Sequence, residues 1–159
     1  MNAWPEPVER VAALLRTQGT DARLEEFPEG TSTAAAAARA VGCEPAQIVK
    51  TLVFLCDGDA VLALVPGDRR ADPAKVAAAV GAAEARVARA EEVVAVTGFE
   101  PGAVAPFPAS GATRVLVDEE LLHQETVWIG AGSTRHVAGL APVDLVRLAN
   151  AVPADLAQA

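Results

Sequence analysis

Between Gln47 and Leu55 the chain reads Gln-Ile-Val-Lys-Thr-Leu-Val-Phe-Leu, an apolar run with one lysine inside it. The run predicts a buried β-strand, and residues alternate between faces along a strand, so Lys50 shares its face with Ile48, Leu52, Phe54 and Cys56. Burying an ammonium without a partner costs on the order of several kcal/mol. Such a lysine either snorkels outward, pairs with an acid, or serves an anionic or carbonyl-bearing ligand. The third outcome makes it a site.

Length and composition narrow the rest. A chain of 159 residues, 52% hydrophobic, is long enough for one well-filled core and short for two, so residues 1–159 are expected to form a single domain. Cys43 and Cys56 lack the spacing of a metal clip or a redox pair. Neither a signal-peptide pattern nor a membrane-length apolar run occurs, so a cytoplasmic protein with no membrane partner is expected. The formal net charge of -8 argues against an extended nucleic-acid footprint. It leaves room for a protein that holds only the end of a nucleic acid. Arg69-Arg70 with Lys75 is a local grouping that can bind a few phosphates, or else a solvated surface loop.

Helical spacing of Val8, Val11, Ala12 and Leu15 predicts an opening helix stopped by Gly19, with a short strand over residues 21–27. Thr31-Ser32-Thr33 offers N-caps for an alanine-rich helix over 34–41 that Gly42 and Pro45 end. Asp57-Gly58 is the strongest hairpin signal, returning the Lys50 strand through Val61–Val65. Asp72-Pro73 has the form of an N-cap followed by a first-turn proline, opening a helix that Gly81 closes. A further helix is expected from about Ala90 to Val96, then an irregular loop over 98–112 rich in glycine, proline and phenylalanine. Strands follow at 114–117, 127–129 and 135–140, and Pro142 starts a last helix with Leu145, Leu148, Ala149 and Val152 at core spacing. Helices and strands mix without strict βαβ alternation, which predicts an α+β fold on a mixed sheet and not a doubly wound nucleotide fold.

The chain has no GxSxG elbow, P-loop or HExxH, and its histidines are His123 and His136. A serine or metal hydrolase is therefore poorly supported. What remains is Lys50 with three segments rich in backbone donors: Thr31-Ser32-Thr33, Gly102-Ala103-Val104-Ala105-Pro106 and Gly130-Ala131-Gly132-Ser133-Thr134. Each has a plainer reading. The threonines and serine can be helix caps, the GxxxP segment a structural turn, and the glycine-rich segment either a tight turn between strands or an anion-binding nest. His136 is either a hydrogen-bonded sheet residue or a substrate contact, His123 a surface residue, and the cysteines core residues.

In their order and spacing, the Thr/Ser run before an alanine-rich helix, QIVKTLVF at 47–54, GxxxP at 102–106, and GAGSTRH at 130–136 followed by a DLVRL helix resemble one family. It is the YbaK and prolyl-tRNA synthetase insertion-domain family of trans-editing aminoacyl-tRNA deacylases, and the resemblance runs from about Pro7 to Asn150. It implies a mixed sheet partly curled into a barrel with surrounding helices. It also implies hydrolysis of the ester on the acceptor end of a mischarged tRNA, with tRNA for proline carrying a small wrong amino acid as the expected substrate and prolyl-tRNA synthetase as a candidate partner. Neither a cofactor nor a metal is implied. Lys50 corresponds to the family's critical lysine, and Gly102, Ala103, Val104, Ala105 and Pro106 to its substrate-clamping loop. Thr31, Ser32, Thr33, Thr51, Gly130, Gly132, Ser133 and His136 are the accompanying substrate-binding candidates. Such an ester is already activated, so orientation and fixed donors for an oxyanion suffice in principle, and Lys50 is expected to act electrostatically and not as a base. The rival reading is a noncatalytic binder of aminoacyl-adenylate-like ligands or of a synthetase.

Overall fold

The computed structural model describes residues 4–107, 111–112 and 114–159; the part of the expected 98–112 loop formed by 108–110 lies outside them. One eight-stranded sheet organises the described residues. Its strands are β1 (Arg23–Glu26), β2 (Ile48–Cys56), β3 (Asp59–Pro66), β4 (Ala85–Val87), β5 (Arg114–Asp118), β6 (Val127–Ser133), β7 (His136–Leu140) and β8 (Val152–Ala154). The order is β1-β7-β6-β2-β3-β5-β8, with β4 added beside β2. Parallel pairs (β2·β6, β3·β5, β5·β8) and antiparallel pairs coexist, as a mixed sheet requires. The path is open at β1 and β8, so the sheet does not close into a barrel.

Among the described residues, five helices pack around it: α1 (Glu6–Thr17), α2 (Ala34–Val41), α3 (Pro73–Val80), α4 (Ala90–Thr97) and α5 (Pro142–Ala149). The local chemistry accounts for their ends. Thr33 caps α2 by accepting the Ala36 amide, and Asp72 caps α3 by accepting that of Ala74. Gly42, Gly81 and Gly98 close α2, α3 and α4 in the left-handed conformation. At the β2–β3 turn, Asp57 (φ 50°) and Gly58 (φ 90°) both have positive φ, the requirement of a tight two-residue hairpin.

The two faces of β2 feed different parts of the interior. Val49 and Val53 join the principal core with Leu62, Leu64, Phe99, Phe107 and Ile129. Phe54 and Cys56 join a smaller cluster under α3, and Ile48 joins a third with Trp128 and Val137 under α2. Lys50 sits on the Ile48–Phe54 face, between these two lesser clusters, where the apolar packing is interrupted.

Two expectations need correction at the C-terminal side. The last helix stops at Ala149 because Asn150 adopts a left-handed conformation (φ 51°), and Val152 lies 54% exposed on β8, not on a helical core face. Strands β4 and β8, each of three residues, were not expected from the sequence. Too short for periodicity, they exist because longer neighbours leave edges for them to pair with. Cys56 is buried, whereas Cys43 is half-exposed.

Candidate functional site

A gap in the ladder of β2 creates the site. Main-chain groups of successive strand residues point to alternate edges. The Gly67 amide takes the Ile48 carbonyl on the β3 side, and the Ala88 amide takes the Val53 carbonyl on the opposite side. Thr51 therefore directs its main-chain amide and carbonyl to that opposite edge. There β6 pairs only with Ile48 and Val49, and β4 begins at Phe54. No described strand pairs with Thr51 on this edge, and its buried hydroxyl also has no hydrogen-bond partner among the described residues.

Over this gap lies a cleft of about 390 Å³. Thr31, Ser32 and Thr33 reach it from the entry to α2, Lys50 and Thr51 from β2, Gly102 and Val104 from the GxxxP loop, and Gly130 from β6. Segments far apart in the sequence thus converge on one cleft. The Thr31 amide and hydroxyl both donate to the Thr134 carbonyl, at 2.6 and 3.3 Å, which ties the α2 entry to the β6–β7 turn. Ser32 is exposed.

The GxxxP loop presents two of its residues to the cleft. Gly102 and Val104 face the cleft, while Ala103, Ala105 and Pro106 are buried away from it. Its approach to β6 is close: a Cβ on Gly130 would lie 2.7 Å from the Val104 carbonyl oxygen. Gly102 itself has φ +84°, a conformation that favours glycine.

Gly132, Ser133 and His136 are not in the cleft lining. A Cβ on Gly132 would strike the Pro7 backbone at 2.7 Å, so this glycine admits α1 against β6. Ser133 is hydrogen-bonded to His136 Nδ1 through its hydroxyl, which also accepts the Arg135 amide at 3.0 Å. His136 is 3% exposed, packs edge-on against Trp4 with ring centroids 5.0 Å apart, and presents Nε2 3.8 Å from the Glu26 carboxylate. Burial holds its pKa below the ordinary value, Glu26 opposes this, and Arg135 adds to it. β6 continues through this segment to Ser133 with an irregular register, and the turn between the strands falls at Thr134 and Arg135.

Lys50 donates from Nζ to the Arg69 carbonyl. Desolvation lowers its pKa from the usual lysine value, Arg70 lowers it further, and Asp68 acts in the other direction. The cleft lining contains no carboxylate, imidazole or thiol among the described residues. Of those residues, Lys50 alone is titratable.

The sequence reading missed the apolar floor, made of Ala37, Ile48, Leu52, Trp128 and Val137. A signal existed for Trp128: it is two residues before Gly130 on one strand and so shares its face. Trp128 is held by Gly139, where a Cβ would come within 2.9 Å of the ring, and by the Arg23 guanidinium 5.3 Å from the ring centroid. A second depression, of about 410 Å³, lies at the hairpin end, but its Asp57 carboxylate already accepts the Ala83 and Glu84 amides at 2.8 and 3.0 Å. That arrangement joins two loops, and the Arg86 guanidinium beside it is paired with Glu92 at 2.8 and 2.9 Å.

Known proteins resemble this chain in both sequence and shape. The profile described as the aminoacyl-tRNA editing domain matches residues 28–148. YwhH of Bacillus subtilis is 33% identical over 123 residues, covering 77% of this chain and 78% of that protein. A proline–tRNA ligase of Nitratidesulfovibrio vulgaris is 35% identical over 132 residues, covering 82% of this chain and 23% of the ligase. Other proline–tRNA ligases are matched over 16% of their length, so the chain corresponds to a minor part of those enzymes. A crystal structure of a candidate trans-editing enzyme for prolyl tRNA synthetase superposes with a TM-score of 0.90 at 37% identity, covering 99% of this chain and 100% of that one. The matched stretch takes in Thr31–Thr33, Lys50, the GxxxP loop and Gly130, and the chain belongs to the aminoacyl-tRNA editing domain family.

Proposed function

We propose that this protein hydrolyses, in trans, the ester of a mischarged tRNA, with tRNA for proline carrying a small wrong amino acid as its substrate. The observation that carries the reading is the convergence of Lys50, the unpaired Thr51 edge and the GxxxP loop on one cleft with an apolar floor. Editing-domain membership and likeness to the trans-editing candidate support it.

The chemistry follows from what the cleft offers. With no carboxylate, imidazole or thiol in the described lining, the nucleophile is a water or the terminal ribose hydroxyl of the tRNA, and the protein's task is orientation and charge stabilisation. The Lys50 ammonium faces the developing oxyanion; that negative charge raises its pKa again and keeps it protonated. The Thr51 amide and the N-terminal end of α2 supply neutral donors, the latter aided by the helix dipole. Apolar contacts with Ile48, Trp128 and Val137 receive the side chain. A synthetase pocket distinguishes small apolar side chains by only about 10 to 200-fold, which is why a second sieve is needed.

The test is a deacylation panel in which one tRNA for proline is charged in turn with proline, alanine, cysteine, serine and threonine. Hydrolysis of one or more wrong pairs, with proline spared, is expected. Hydrolysis of none above the spontaneous rate would sink the reading. Tight binding of a nonhydrolysable aminoacyl-adenylate analogue without turnover would establish the noncatalytic alternative.

A further inference from the structure

The chain is acidic, and most of its basic side chains are engaged by its own carboxylates. Among the described residues, the lysines and arginines without a carboxylate partner are Arg39, Lys50, Arg69, Arg70, Arg114 and Arg135. Three of these form one group. Lys50 donates to the carbonyl of Arg69, and Arg70 is close enough to repel the Lys50 ammonium. Arg69 and Arg70 are both exposed. Lys75, by contrast, is taken up by Asp155 and the Ala157 carbonyl, so it leaves the basic grouping expected from the sequence.

The loop that carries the two arginines is built, not loose. Asp118, 2% exposed, accepts the amides of Leu156 and Ala157 at 2.9 and 3.1 Å and fixes the C-terminal segment. That segment in turn grips the loop: the Asp72 amide donates to Leu156, the Gln158 amide to Arg70, and the Arg69 guanidinium to the Gln158 carbonyl at 2.9 Å. A carbonyl partner orients Arg69 without neutralising it. Asp68 acts on Lys50 against Arg70, and none of the three cations forms an ion pair with a described carboxylate. Such an arrangement concentrates positive charge at one place on an otherwise acidic surface and favours an anion there.

We propose that Arg69 and Arg70 form a phosphate seat at the rim of the cleft that engages the phosphodiesters of a single-stranded RNA end, leaving Lys50 to the ester. The inference rests on the deacylase reading, which supplies the ligand's chemistry: the nearest negative charge to an ester on a terminal ribose is the phosphate of the same nucleotide. Arginine suits the task because its planar fork binds phosphate oxygens in pairs.

The experiment measures binding of an uncharged single-stranded RNA ending in cytidine-cytidine-adenosine between about 50 and 200 mM salt. Wild type, the Arg69→Gln/Arg70→Gln double variant and Arg114→Gln are compared, with thermal melts as a check on folding. Arg114 is the control for net charge, because it is exposed, likewise lacks a carboxylate partner, and pairs with Val61 at the far end of β3. The double variant should bind about tenfold more weakly, with a salt slope shallower by about 0.7 for each phosphate the arginines no longer hold, while Arg114→Gln matches wild type. Equal weakening in Arg114→Gln, an unchanged double variant, or no binding by wild type would overturn the proposal. Adenosine monophosphate binding as tightly as the RNA would also overturn it, in favour of a nucleotide ligand. Hydrolysis of an aminoacyl-adenosine, which carries no phosphate, tests the deacylase reading separately.

Discussion

Lys50 and Arg69 are joined by a hydrogen bond from a side-chain ammonium to a main-chain carbonyl, so the loop after β3 aims the lysine whatever side chain stands at position 69. A compact ammonium fits this geometry and a planar guanidinium does not. Lys50→Ala should therefore lower the deacylation rate by about 100-fold or more with little change in melting temperature, and Lys50→Arg should also fail substantially. Single-turnover rates beside thermal melts check this; full activity in a folded Lys50→Ala protein would remove the lysine from the mechanism.

Thr51 keeps a buried hydroxyl without a described partner. Such a group costs stability, so the nearly isosteric Thr51→Val should stabilise the fold by about 1 kcal/mol. If the hydroxyl meets the substrate, the same change should slow hydrolysis. Urea midpoints and kcat/KM should then move in opposite directions, and a loss of both would assign Thr51 to packing alone.

Gly130 and Gly102 separate a steric role from a conformational one. Gly130→Ala drives a methyl against the Val104 carbonyl, so the GxxxP loop must shift, at a cost of about 1–3 kcal/mol. Gly102→Ala meets only ordinary contacts, the nearest 3.6 Å away at Ser32, and is strained by its positive φ, by about 1–2 kcal/mol. Deacylation per folded molecule should fall more for Gly130→Ala; the reverse order would show that Gly102 itself contacts the substrate.

His136 makes the fold sensitive to acid. Its pKa in the folded protein lies below the ordinary 6.5, chiefly through burial. The unfolded chain thus binds the proton more readily, so stability is fully present above about pH 6.5 and falls as pH drops toward the folded pKa. Urea midpoints across this range should show that slope, and His136→Asn should flatten it. A slope unchanged in the variant would place the acid sensitivity elsewhere.

Few phosphates should be touched overall. Two or three contacts give a salt slope of roughly -2 in log affinity against log salt, and a short acceptor-stem mimic should bind about as well as whole mischarged tRNA. A steep slope with a weakly bound mimic would mean an extensive footprint.

Much of this arrangement was legible before the structure. Thr33, Asp72, Gly42 and Gly81 mark helix ends by chemistry that acts within one turn, and Asp57-Gly58 fixes a hairpin in the same local way. Lys50 stood out because strand alternation placed a charge among apolar residues. What escaped depends on distant pairing. Gly132 looked like a ligand loop, but its open face belongs to Pro7 of α1; the Thr51 gap exists only because β6 leaves β2 after Val49 and β4 arrives at Phe54. Neither event leaves a mark in the residues around it.

That gap means that the middle of the sheet holds an amide with no ladder bond. Central strands normally exchange their amide hydrogens only on global opening, yet the Thr51 amide is shielded by whatever occupies the cleft and not by a neighbouring strand. Its exchange rate is therefore a built-in gauge of occupancy, fast in the free protein and slow in the complex, within a strand whose other amides barely respond.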